Sequence, residues 1–479
     1  MKSICRSLFF FLLAASVAVP VFAQFTPVPG EAPSAEQGLS PAALQSLRDS
    51  LQMTPQLRAD RNALANHSIR SLVIDQNALL QTDNYFTHVI KDPGSITNQK
   101  ATGRCWLFAG LNMLRPEVMN KYNMKDFTLS QAYEQFYQKL EASNRSLELA
   151  IALRNESIHS RRMDTLLKDI ISDGGNWNYA QALIDKYGAV PNSVMPDDYA
   201  ASHTNEMVGL LATRLRKAVV QIREASAKGE SIEQMRTIKT AALKDVYKIL
   251  VLCLGEPPQS FQWRYETKDG KVTPLKTYTP VAFYKEFLGR DLNNYVRFVN
   301  YPGQPMHAKL GWAWERGMAD HEDLWAINIT AKEMQDMALA SVMADQPVWF
   351  GADSGADGDR PAGLWKDGLV DSKDLFGIDF SMDKKDALAF DNSTPDHAMV
   401  FTGVDVQNGV PDKWKVENSW GTKVGDKGWF TIGNKWFHQN VFEVIIDKRF
   451  VPPELLQLLN KKPVVLPPWD PFTDWTSMQ

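Results

Sequence analysis

Cysteine is scarce in this chain: three among 479 residues, too few for a disulfide framework. Cys5 lies in a segment that reads as removable, so the mature chain keeps Cys105 and Cys253 and must rely on its core. A chain of 479 residues is long enough to bury a large core and to divide it into subdomains. A basic block is missing too. Lysine and arginine number 52 against 56 acids, a net charge of −4, and nucleic acid is not expected as a partner. His307 and His321 have no metal-ligand partner at useful spacing and read as structural or surface residues, so no metal is expected. Apolar length is limited at the N-terminus, where the run Leu8–Val19 falls short of the ~20 residues a membrane span needs.

That short run has a different use. Lys2 and Arg6 precede it and Val21-Phe22-Ala23 follow it, the pattern of a secretory signal over residues 1–23. Cleavage before Gln24 takes the charge balance to 50 against 56, or −6. No cysteine follows the run, so no lipid anchor and no stable membrane anchor are expected, and the product is placed in the periplasm or outside the cell. Residues 24–38, rich in proline, glycine and small polar residues, read as a flexible leader. Ser40-Pro41 is a good helix start, and Leu44, Leu47, Leu51, Met53, Leu57 and Leu64 follow at helical spacing.

The chemistry gathers at Gln99–Asn112, read Q-K-A-T-G-R-C-W-L-F-A-G-L-N. A glycine-containing turn carries Gln99 to Cys105, and from Cys105 the sequence becomes apolar and helical. A cysteine in the first turn of a helix feels unsatisfied N–H groups and the positive end of the macrodipole, which favour the nucleophilic thiolate. The Gln99 amide and the Cys105 backbone N–H are two donors for the oxyanion its attack would form. The helix from Cys105 to Asn120 is apolar almost all round and therefore buried, with Pro116 expected to kink or end it. Downstream, His397 opens a strand-like run to Val404, and Asn418 ends another beside Trp420. A base can activate the thiol, a neutral amide can orient the base, and an indole can shield their hydrogen bond. Asp396 precedes the base, and alternation along a strand would turn it to the opposite face, solvated. Cys253, in the apolar run Ile249–Leu254, reads as a core cysteine.

The order Gln, Cys, His, Asn is that of papain-like cysteine proteases. Asn98-Gln99-Lys100, Gly103–Ala109, Asp173-Gly174-Gly175, Val194-Met195-Pro196, Leu254–Pro258, Pro347–Gly351, His397–Val400 and Glu417–Gly421 together resemble the bleomycin hydrolase or aminopeptidase C family. The resemblance runs from about Leu39 to Pro471. It implies an α+β, papain-like two-lobed fold: a helical left lobe bearing Cys105 and an antiparallel β right lobe bearing His397 and Asn418, with the substrate between them. Pro347–Gly351, His397–Val404, Lys413–Ser419 and Gly428–Ile432 are the expected strands, with a turn at Gly425–Gly428.

Further implications follow from the same resemblance. Gly174 and Gly175 would let the substrate backbone lie close to the protein. Two amphipathic helices between Asn205 and Leu254 correspond to an inserted hook, about residues 200–300, that in the family helps assemble a hexamer, so a homo-oligomer is expected. One helix carries Met207, Leu211, Leu215, Val219 and Ile222, and the other Met235, Ile238, Ala242, Val246 and Ile249 after a Ser231/Gln234 capping box. In the family the C-terminal carboxylate, here that of Gln479, captures the substrate's free amino group. The tail 472–479 is longer than in relatives and would either be trimmed or lie elsewhere, which would leave an endopeptidase. Relatives are usually cytosolic, so export is a departure. The sequence thus reads as an exported cysteine aminopeptidase, without metal or organic cofactor, acting on peptides with a free N-terminus. The alternatives are a papain-like endopeptidase and a catalytically silent oligomeric binding protein.

Overall fold

A computed structural model describes residues 37–472. The signal over 1–23, most of the leader and the tail beyond Phe472, including Gln479, lie outside the described residues. The chain divides into two compact units, Met1–Ser68 and Ile69–Gln479. In the first, the expected helical stretch is two helices, Pro41–Ser50 and Pro55–Leu64. Each begins with a hydroxyl cap followed by proline: Ser40 Oγ accepts from the Ala43 N–H at 3.1 Å and Thr54 Oγ1 from the Leu57 N–H at 3.1 Å. The second cap breaks the stripe that runs from Leu44 to Leu64.

In the second unit, the helix Cys105–Lys121 is buried from Cys105 to Pro116 without a gap. Pro116 does not end it. The helix runs on to Lys121, because tertiary burial on all sides outweighs the hydrogen bond that proline removes. Around it pack the helices Gln131–Ala152 and Trp177–Tyr187. The paired helices Asn205–Ala227 and Ile232–Leu254 lie against Gln131–Ala152, and their buried faces join the same apolar core as Trp106, Phe136 and Trp177. The inserted segment is therefore built into the helical half. The capping box of Ser231 and Gln234 is present. The buried stripe of the second helix continues through Leu250 and Leu254, leaving Ile238 and Ile249 half-buried. Cys253 falls on the edge of that stripe, half-buried instead of in the core, because Leu250 and Leu254 take the inward positions.

The other half is a sheet of 12 strands. At its centre Val348–Ala352, His397–Gln407, Val410–Glu417 and Trp429–Gly433 pair antiparallel in that order, with Val441–Asp447 on the far side of Val348–Ala352. Toward the edges the sheet is mixed. Val464–Leu466 runs parallel to Ala308–Trp312, Tyr295–Val299 to Trp325–Asn328, and Trp429–Gly433 to Leu364–Trp365. Trp312 ends one of these strands. A second core fills the space between the sheet and the helix Ala331–Met343, with Phe350 stacked on Phe401 at 3.8 Å. The halves are joined through Trp349, whose Nε1 donates to the Trp106 carbonyl at 3.1 Å from within the helical half's core. Removing an indole buried on this scale costs about 3–5 kcal/mol.

Candidate active site

Gln99, Gly103, Cys105, Trp106, Gly174, Gly175, Ser354, Asp396, His397 and Trp420 line one cavity of about 200 Å³ between the helical half and the sheet. Each reaches it for a local reason. Cys105 is the first residue of its helix. The turn before it bends at Lys100, whose φ of 58° is stabilised by its N–H donating to Asn98 Oδ1 at 2.9 Å. Gln99 is thereby tied on both sides: its Nε2 donates to the Thr102 carbonyl at 2.6 Å, and its Oε1 accepts from Ser419 Oγ at 2.6 Å. A carboxamide nitrogen carries two hydrogens, so one donor remains for the cavity. Gly175 packs on Trp106, where a Cβ would come within 2.5 Å of the indole. Its lack of a side chain thus has a packing cause as well as a place in the cavity wall.

On the sheet side His397 is the first residue of its strand, and its Nε2 lies 2.8 Å from Asn418 Oδ1. An amide oxygen only accepts, so Nε2 carries the proton and Nδ1 is left free as a base. The Trp420 ring stacks on the imidazole at 4.6 Å, covering that hydrogen bond. Asp396 is not solvated as its sequence position suggests. It lines the cavity, half-buried, and accepts from the Ser354 N–H at 2.7 Å. The strand begins only at His397, so alternation does not extend back to Asp396.

The electrostatics also differ from the expectation of a resting thiolate. Burial pushes the Cys105 thiol up to about 11, against hydrogen bonds from the Ala398 and Trp106 N–H groups. Burial likewise holds His397 down at about 4, with Asn418 favouring the charged ring and the Arg360 charge opposing it. Desolvation thus disfavours the charged form of both groups, against the pull of the helix terminus. A neutral thiol and imidazole can react by general-base catalysis, the imidazole taking the proton as sulfur attacks.

A family model described as Peptidase C1-like matches residues 38–473. The chain belongs to the Peptidase C1-like family. Among its relatives, Aminopeptidase C of Lactobacillus delbrueckii subsp. lactis is 35% identical over 386 residues, covering 80% of this chain and 86% of the relative. Aminopeptidase W of the same organism is 33% identical over 432 residues, covering 90% and 98%. The crystal structure of PepW from Lactobacillus rhamnosis HN001 superposes with a TM-score of 0.88 at 36% identity, covering 91% of this chain and 99% of that one. The papain-like two-lobed fold is therefore that of this chain, and as a Peptidase C1-like protein it is a cysteine peptidase.

Sequence reasoning missed the buried charges that hold this Peptidase C1-like site in place. Lys139, fully buried on the helix Gln131–Ala152, pairs with Asp173 at 2.6 Å. Asp173 also accepts from the Gly103 N–H and the Thr204 hydroxyl, and its carbonyl accepts from Trp106 Nε1 at 2.8 Å, so the glycine wall is fastened to the turn before Cys105. Arg104 pairs with Asp197 at 2.6 Å and donates to Gln135 at 3.0 Å. On the sheet side, Glu417 Oε1 accepts from Arg115 at 2.6 Å and Asn112 at 2.8 Å, both on the helix that Cys105 begins. Arg115 also donates to the carbonyls of Pro93 and Ser95, just upstream of Gln99. One network thus reaches the segments bearing Gln99, Cys105 and Asn418. The available signal is a charged residue on an otherwise apolar helix, as at Arg115.

Proposed function

We propose that this chain is an exported aminopeptidase that releases N-terminal residues from peptides by acyl transfer to Cys105. In class it is a cysteine-type aminopeptidase, a peptide hydrolase, like the relatives that share its length and fold. The observation that carries the reading is the shared cavity of Cys105, His397 and Gln99, with Asn418 bonded to Nε2 of the histidine so that Nδ1 is left as the base.

Cys105 Sγ attacks the carbonyl of the first residue while its proton passes to His397 Nδ1. Negative charge on the carbonyl oxygen is met by the Gln99 amide and the Cys105 N–H. His397 returns the proton to the leaving amine as the C–N bond breaks, giving a thioester. Water then attacks the thioester, loses its proton to His397, and the C–S bond breaks to restore the thiol. Asn418 keeps the ring in the tautomer this needs. Gly174 and Gly175 give the acyl side a wall on which backbone can lie. Restriction to free N-termini would come from the tail, with the Gln479 carboxylate capturing the substrate ammonium. Export rests on the pattern of Lys2, Arg6, Leu8–Val19 and Ala23, and assembly as a homo-oligomer, in the family a hexamer, on resemblance alone.

The test is a paired assay on the mature protein: an aminoacyl fluorogenic amide with a free amine, its acetylated twin, and a Cys105→Ser control. Cleavage of the free-amine substrate alone, lost in the control, is expected. Equal cleavage of the acetylated twin would make this an endopeptidase, and silence on both would favour a binding protein.

A further inference from the structure

His397 must hand its proton to the leaving amine, so the leaving part of the substrate lies over His397, and what surrounds that ring surrounds the leaving group. Trp420 stacks on the imidazole, and the Arg360 guanidinium packs over the same indole at 4.0 Å. Arg360 is exposed, and among the described residues no carboxylate pairs with it. The acids nearby in sequence or in the cavity are engaged: Asp359 accepts from the Ala362 N–H at 3.0 Å, and Asp396 from the Ser354 N–H at 2.7 Å. The backbone carrying Arg360 is fixed, with the Pro361 carbonyl accepting from the Gly425 N–H at 3.1 Å and Gly363 packed so closely on Gly425 that a Cβ would fall 2.5 Å from it. A free cation is thus held at a set place, one indole away from the group that protonates the leaving amine.

We propose that Arg360 is a specificity-determining residue that recognises a carboxylate on the residue immediately after the scissile bond. The chemistry suits it. A guanidinium matches a carboxylate in geometry and charge, and stacking on an aromatic ring pre-orders it. In an amino acid the carboxylate lies only ~3–4 Å from the amine nitrogen, so a dipeptide's own α-carboxylate travels with the leaving amine. An acidic side chain on that residue supplies the same chemistry from a second source. The substrate class that follows is short peptides with a free C-terminus, or peptides acidic at that position. This rests on the aminopeptidase reading.

The experiment measures kcat/KM for the mature enzyme and for Arg360→Ala and Arg360→Glu. Three substrates share one free-amine first residue: aminoacyl-alanine as the free acid, its neutral amide, and aminoacyl-aspartyl amide. Wild type is expected to favour a carboxylate-bearing substrate over the neutral amide by about 5- to 10-fold. Arg360→Ala should bring that ratio near one and Arg360→Glu below it, while an uncharged aminoacyl coumarylamide changes by no more than about twofold. Preference confined to the free acid identifies the α-carboxylate as the source, and preference confined to the aspartyl amide identifies the acidic side chain. Ratios that neither variant moves overturn the proposal while leaving the aminopeptidase reading intact. Failure of wild type to cut any free-amine substrate overturns that reading and this proposal with it.

Discussion

Two buried carboxyl groups brace the cleft, one in each half, and they end up on opposite sides of the ordinary range. Asp173 and Glu417 are equally out of reach of water, at 4% and 2% exposure. Burial raises both. At Asp173 the Lys139 ammonium, the Thr204 hydroxyl and the Gly103 N–H reverse that rise and hold the carboxyl below its usual value. At Glu417 burial wins, and the group is pushed up to about 7 despite Arg115 and Asn112. Lys139 on one oxygen and Gly103 with Thr204 on the other engage both Asp173 oxygens, although Lys139 also donates to the Ser172 carbonyl, whereas both Glu417 bonds converge on Oε1 and Arg115 also serves the Pro93 and Ser95 carbonyls. The number of donors and how they are spread over the two oxygens, more than burial depth, set the opposite directions of the two carboxyls.

The comparison breaks most violently at Lys139. Lys139→Met leaves the Asp173 carboxylate buried without its cation and should cost about 3–5 kcal/mol, read as a lower urea midpoint with an unchanged slope. Adding Asp173→Asn should recover part of the loss, since the stranded charge is gone. An undiminished midpoint in Lys139→Met would mean that Asp173 is not charged in the fold.

Glu417→Gln should do less, about 1 kcal/mol, because Arg115 keeps its two backbone carbonyls and an amide oxygen. Its sharper effect is on pH. A carboxyl raised from 4.5 to about 7 by folding contributes stability that is full below about pH 4.5 and is lost as pH rises through 7. The slope between those limits is at most ~1.4 kcal/mol per pH unit and should vanish in Glu417→Gln. Asp173 has the opposite sign: its contribution is present above its ordinary value of 3.8 and is lost as pH falls further. Thermal unfolding from pH 3 to 8, for wild type and the two single variants, separates these contributions.

The chemistry was more legible in the sequence than its supports. Cys105, His397 and Asn418 announce themselves because each stands where a local pattern changes: a glycine turn into an apolar helix, the opening of an apolar strand, and the end of a strand close to a tryptophan. The helices of Asn205–Leu254 were readable from their 3.6-residue stripes and the Ser231 cap. What could not be read was pairing across long separations. Lys139 with Asp173, Arg115 with Glu417 and Gln99 with Ser419 depend on which faces meet after folding. The parallel edge strands escaped for the same reason, being two to five residues long with no periodicity of their own. Alternation fails for Asp396 because the strand begins one residue after it.

The smallest substitution tests the contrast where it touches the reaction. His397 is held at about 4 by burial first, with the neutral Asn418 amide favouring the charged ring and the Arg360 charge, a smaller effect, opposing it. The half-buried Asp396 is the carboxyl sharing its cavity. A base that must be unprotonated loses activity as pH falls through its own value, so kcat/KM on an uncharged aminoacyl amide should hold down to about pH 4 and fall below it. Asn418→Asp puts a carboxylate where Oδ1 now lies 2.8 Å from Nε2. That charge stabilises the imidazolium, raises the histidine by roughly 1–3 units, and should carry the acid limb up toward pH 5–7. Arg360→Ala should move the limb the same way by less, since it removes a more distant cation. If the Asn418→Asp limb stays with wild type, the ring is not governed by residue 418, and the orienting role of that amide is lost with it.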